Sequence, residues 1–126
     1  MGWVLLVEDD RLVAASLERI FRRRAGLRTR WAPDGEAVLR ALREEPEPPR
    51  ALVLDHDLGP GRPTGVDVLQ VLRSRLPPGT PCAFHTGMEA AEMHRTLEAH
   101  RVEGVRLFAK PHALEPMVRW LAAVGP

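Results

Sequence analysis

Short apolar runs alternate along the chain with longer stretches in which apolar residues recur every three or four positions. The runs are Trp3–Val7, 27–31, Ala51–Leu54, 82–85 and Val105–Ala109. WVLLV, ALVL and CAF are almost unbroken, the habit of strands buried on both faces of a parallel sheet. LRTRW alternates instead, which suits an edge strand. Between the runs, Val13, Leu17, Ile20 and Phe21 form one helical stripe, and Val38, Leu39 and Leu42 a second, with Asp34 placed to cap it. Val68, Leu69, Leu72 and Leu76 mark a third helix, opened by Thr64 with Asp67 three residues on and ended by Leu76-Pro77-Pro78-Gly79. A fourth helix is predicted at about 90–100 and a fifth at 114–123. No repeat or linker interrupts the series. Alternation of this kind predicts an α/β fold, a three-layer sandwich with right-handed crossovers, in a single domain over residues 1–126.

Composition narrows the class. With 126 residues, 44% hydrophobic and 28% charged, the chain reads as one soluble globular domain. No apolar run approaches the roughly 20 residues of a membrane span. The opening MGWVLLVEDD lacks a secretory signal, because acids follow the apolar residues at once. The single Cys82 cannot form an internal disulfide and reads as a small buried hydrophobe, so a reducing, cytoplasmic setting is the expectation. A net charge of +1 gives no reason to expect nucleic acid as a direct partner. The arginines at 22, 23, 24, 28 and 30 read as a solvated helix end. Of the 18 basic residues only Lys110 is a lysine.

In open parallel sheets ligands bind beyond the carboxyl ends of the strands. The first strand runs into Glu8, Asp9 and Asp10, and the third into Asp55, His56 and Asp57. The fourth ends in His85 and Thr86, and the fifth in Lys110 and Pro111. A parallel sheet gathers these on one rim. Clustered carboxylates repel unless a hard cation or a shared proton relieves them. Oxygen donors without thiolate favour Mg2+, or Mn2+. Asp55 then suits a nucleophile on phosphorus, with Lys110 and Thr86 as partners for the phosphoryl oxygens. Asp10 reads as a helix cap rather than a ligand. His56 and His85 lack the spacing of a transition-metal site, and His94, His100 and His112 read as surface residues. Gly59, Gly61 and Gly65 fit no nucleotide-binding loop.

The stretches VLLVEDD, APDGEAVLRAL, ALVLDHDLGPG with Gly65 beyond, AFHTG and LFAKP, in that order and spacing, resemble the receiver domain of two-component response regulators over essentially the whole chain. The resemblance implies a flavodoxin-like, five-stranded parallel sheet in the order 2-1-3-4-5 with five helices. It makes Asp55 the phosphoacceptor, fed by phosphohistidine on a sensor histidine kinase or phosphotransfer protein. Asp9, Asp55 and the backbone carbonyl of Asp57 become metal ligands, with Glu8 acting through water. Thr86 becomes the hydroxyl that turns toward the phosphoryl group, and Lys110 the lysine that pairs with it, before a cis bond to Pro111. The responding surface is helix four, strand five and helix five, about 90–123, which binds an effector or forms a homodimer. An output domain is not part of the chain, which reads either as a stand-alone receiver or as part of a longer regulator.

Some positions depart from the family pattern. Leu107 stands where an aromatic usually completes the switch, and Phe108 should point to the opposite face. A shift of the loop before helix four is the expected substitute. His56, Asp57 and Met88 border the path of attacking water and are expected to tune phosphoryl lifetime. Two rival readings stand beside this one. The first is a receiver-like interaction module that never takes up phosphate. The second is a haloacid-dehalogenase-type phosphatase built on Asp55-His56-Asp57, which would need a further acidic pair after Lys110, where only Glu115 is found.

Overall fold

The computed structural model describes residues 2–124. The elements follow as β1 (Trp3–Val7), α1 (Arg11–Ile20), β2 (Arg28–Ala32), α2 (Gly35–Glu44), β3 (Ala51–Leu54), α3 (Gly65–Arg73), β4 (Cys82–Thr86), α4 (Ala90–Ala99), β5 (Val105–Ala109) and α5 (Leu114–Val124). All neighbouring strands are parallel, in the order β2-β1-β3-β4-β5. The unbroken runs form the interior strands, and β1, β3 and β4 are buried at every position. The alternating run forms an edge, as expected.

Two apolar layers flank the sheet. Trp3, Leu5, Val7, Leu52, Leu54 and Phe84 pack with Val38, Leu69, Leu72, Met93 and Leu97 of α2, α3 and α4. Val4, Leu6, Val53, Ala83 and Phe108 pack with Leu17, Met117 and Leu121 of α1 and α5. Each fully buried side chain of this size contributes about 1.5–3 kcal/mol. Caps then fix where the chain turns from strand to helix. Asp10 Oδ1 accepts the N–H groups of Leu12 and Val13 at 2.9 and 3.2 Å. Asp34 Oδ1 accepts that of Ala37 at 2.9 Å. Thr64 and Asp67 close a reciprocal capping box.

Several boundaries differ from the reading of the sequence. The second strand runs one residue later, from Arg28 to Ala32. A single π-helical stretch, Phe21–Ala25, prolongs α1 and ends on left-handed Gly26, and the Leu27 N–H closes it onto the Phe21 carbonyl. Leu27 is therefore a core residue of a turn. Arg28 and Arg30 are not at a helix end. They lie on the β2 edge, where Arg28 grips Glu45 at 2.5 and 3.1 Å and Arg30 reaches Glu44 at 2.6 Å. Strand β4 continues to Thr86, paired with Ala109. Helix α3 stops at Arg73, because a tight turn from Leu72 to Arg75 precedes the prolines. Among the described residues no helix is long and apolar enough to cross a membrane.

Candidate metal centre at the strand ends

Glu8 leaves β1 buried, at 1% exposure. Its backbone N–H donates to the Ala32 carbonyl at 3.2 Å, and its own carbonyl accepts the Trp31 indole N–H at 2.6 Å. Asp55 leaves β3 with its N–H on the Val7 carbonyl at 2.8 Å. Lys110, beyond β5, sends its ammonium to both acids, 2.7 Å from Glu8 Oε2 and 2.8 Å from Asp55 Oδ2. Its backbone N–H meets the Thr86 carbonyl at 2.9 Å. Thr86 Oγ1 accepts the Met88 N–H at 3.2 Å. Asp55 Oδ1 accepts the Asp57 N–H at 3.3 Å. The Lys110–Pro111 bond is cis.

These groups line an open pocket of about 540 Å³ with Asp9, Asp10, Asp57, Gly87, Met88 and Glu92. Of the residues singled out in the sequence, Glu8, Asp9, Asp55, Asp57, Thr86, Met88 and Lys110 meet here. His56 does not line it; its ring stands at 69° to that of Phe84, centroids 6.4 Å apart. His85 stands opposite Phe108 in the register, on the α1–α5 face. A second concavity, apolar and about 450 Å³, lies between α2 and α3. Its one carboxylate, Asp67, is spent on the α3 cap.

Burial holds the Glu8 carboxyl above its ordinary range; the hydrogen bond from Lys110 works against this and the Asp55 charge with it. Burial alone would lower Lys110, yet hydrogen bonds to Asp55 and Glu8 hold it above its usual value, so the ammonium stays charged. Burial, then the Lys110 charge, pushes His85 down to about 4.

Glu8, Asp9 and Asp55 each offer a carboxylate oxygen within 4.8 Å of the others, and among the described residues no other group of this kind occurs. All donors are oxygen, with no sulfur or imidazole, so the residues fit a hard divalent cation such as Mg2+ or Mn2+. Two contributors escaped the sequence reading. Glu92 lies in the first turn of α4 with no motif around it, and Trp31 reaches Glu8 only because β2 and β1 are neighbours.

The family model of the response regulator receiver domain matches residues 4–122. The chain belongs to that family. The chemotaxis protein CheY4 of Vibrio cholerae is 21% identical, with a TM-score of 0.80 over 98% of both chains. A response regulator receiver protein from Burkholderia phymatum is 26% identical, with a TM-score of 0.72 over 98% of this chain and 94% of that one. The DrrB receiver domain, solved in a BeF3-activated form, is 18% identical, with a TM-score of 0.77 over 98% of this chain and 97% of its own. A search of curated proteins gave no match. As a receiver domain the chain is a signalling module of two-component type. Leu107 packs toward the α2–α3–α4 core and Phe108 is buried on the opposite face against Trp120, as strand alternation requires. Glu115, the one acid after Lys110 where a phosphatase would need a pair, is exposed and bonded to Arg24.

Proposed function

We propose that this receiver is a cytoplasmic, phosphorylation-activated switch that accepts a phosphoryl group on Asp55 from a phosphohistidine of a sensor histidine kinase or phosphotransfer protein. The observation that carries the proposal is the Lys110 ammonium bridging Asp55 and Glu8 at 2.8 and 2.7 Å in the pocket that also holds Asp9. Asp9, Asp55 and the Asp57 carbonyl would hold Mg2+ or Mn2+, with Glu8 acting through water. The ion supplies charge neutralisation for the transferring phosphoryl oxygens. An Asp55 carboxylate oxygen attacks phosphorus, the P–N bond to the donor imidazole breaks, and the imidazole leaves with the electron pair. Lys110 then exchanges its Asp55 contact for a phosphoryl oxygen, and water later hydrolyses the acyl phosphate.

Thr86 supports a route outward. Turning its hydroxyl to the phosphoryl group gives up the Met88 N–H, held at 3.2 Å. That opens the turn ahead of α4, and Met88, packed against the core below, carries the change in place of the aromatic that Leu107 replaces. The face affected is α4, β5 and α5, which would meet an effector or a second copy. Asp57 and Met88 line the pocket, so they rather than His56 are the stronger candidates for setting phosphoryl lifetime. Leu107 favours one competing reading, an interaction module that never carries phosphate. NMR with beryllofluoride and Mg2+ separates the two. Shifts at Asp55, Thr86 and Lys110 are expected of a live switch, and unmoved resonances there would favour the competitor.

A further inference from the structure

We propose that Trp31 is a positioning residue of the metal site, its indole N–H fixing the peptide from which Glu8 and Asp9 enter the pocket. This rests on the metal-binding reading above. The β1–β2 ladder ends at Glu8, whose N–H makes the last rung to Ala32 at 3.2 Å. Pro33 follows with no N–H to give, and Asp34 turns the chain into the cap of α2. The Glu8 carbonyl therefore needs a side-chain donor, and a carbonyl left unpaired beside so buried a residue is unfavourable. Trp31 supplies the donor at 2.6 Å. Indole is a donor only, so the contact has one sense. Its ring is partly buried against the α1–α5 core, which restricts its swing.

The other bonds of Glu8 complete the argument. Its carboxylate is held by Lys110 at 2.7 Å and by the Asp10 N–H at 3.2 Å. With backbone N–H, carbonyl and carboxylate all fixed, the Glu8–Asp9 peptide has one orientation left. Asp9 is exposed and its carboxylate takes no hydrogen bond among the described residues, so its direction follows from that peptide. Losing the indole N–H should therefore weaken the metal site while the rest of the sheet persists.

The test is calorimetric titration of Mg2+ into the full chain, for wild type, Trp31→Phe and Trp31→benzothienylalanine, the last swapping N–H for sulfur at the same shape. Both variants should bind Mg2+ roughly three- to tenfold more weakly, the effect of one net hydrogen bond. In NMR of the wild type, Mg2+ should shift the Trp31 indole N–H, while that of Trp3, which donates to the Glu47 carbonyl at 2.9 Å, stays in place. If Trp31→Phe fails to fold, the isosteric variant decides. Wild-type affinity in that variant would overturn the role of Trp31 and leave the metal site standing. Absence of Mg2+ binding in the wild type would overturn both.

Discussion

A β-carbon at residue 65 would lie 2.1 Å from the carbonyl oxygen of Asp55, a backbone atom that cannot swing aside. Gly65 thus lets α3 begin directly beneath Asp55. Gly65→Ala is expected to cost about 2 kcal/mol or more in urea unfolding and to weaken Mg2+ binding, because the Asp55–His56 peptide must move. His85 poses a different problem: it is 6% exposed and neither ring nitrogen has a partner among the described residues. Its pKa stands at about 4 against an ordinary 6.5. Between those values the unfolded chain binds the proton and the folded chain does not, so stability falls as pH drops through that window, by on the order of 3 kcal/mol. In His85→Leu this slope should vanish. Denaturant curves for the two proteins should diverge from pH 6.5 toward 4 and run parallel above 7, and a constant gap would contradict the buried neutral imidazole. Most of the site was legible because Glu8, Asp9, Asp55, Thr86 and Lys110 each follow an apolar run. Trp31 was not, because its partner is set by the register of β2 on β1, which no local pattern encodes.

Among the elements, α1 shows how neighbouring acids divide their work. Asp10 spends its carboxylate on the Leu12 and Val13 N–H groups, whereas Asp9 shares the oxygen cluster with Glu8 and Asp55. Asp10→Ala is therefore expected to cost about 1 kcal/mol of stability with Mg2+ affinity little changed. Asp9→Asn should do the reverse, abolishing Mg2+ binding with little loss of apo stability. Thermal melts with and without Mg2+ read both, and equal Mg2+ stabilisation of Asp9→Asn would remove Asp9 from the ligand set. Strands and helices were legible in kind, since buried strands need unbroken apolar runs and surface helices need stripes. Their limits were less so. Leu27 looks like strand but seals the π-helical turn, and Leu76 looks like helix but packs as a partly buried loop residue. Apolar character records burial, and burial does not distinguish an element from the turn that closes it.

At the scale of the whole molecule, parallel strands bring residues 8, 9, 55, 86 and 110 to one rim, although more than a hundred positions separate the first from the last. The strand order came from the family resemblance and not from periodicity, because local patterns cannot say which strands pair across the crossovers. The sheet order β2-β1-β3-β4-β5 is what sets β1 beside β3 and so Glu8 and Asp9 beside Asp55. Ion pairs tie distant segments around it: Lys110 to Glu8 and Asp55 across the rim, and Arg24 to Glu115 between the end of α1 and α5 on one face of the sheet. Only the first lies where phosphorylation would rearrange it, which supports the proposed coupling to the α4–β5–α5 side through Lys110 and Thr86. The direct test is intact-mass spectrometry after incubation with acetyl phosphate and Mg2+, run beside Asp55→Asn and beside wild type with the metal chelated. One added phosphoryl group on the wild type alone is the expected result. An unmodified wild type, or equal modification of Asp55→Asn, would contradict Asp55 as the metal-assisted acceptor.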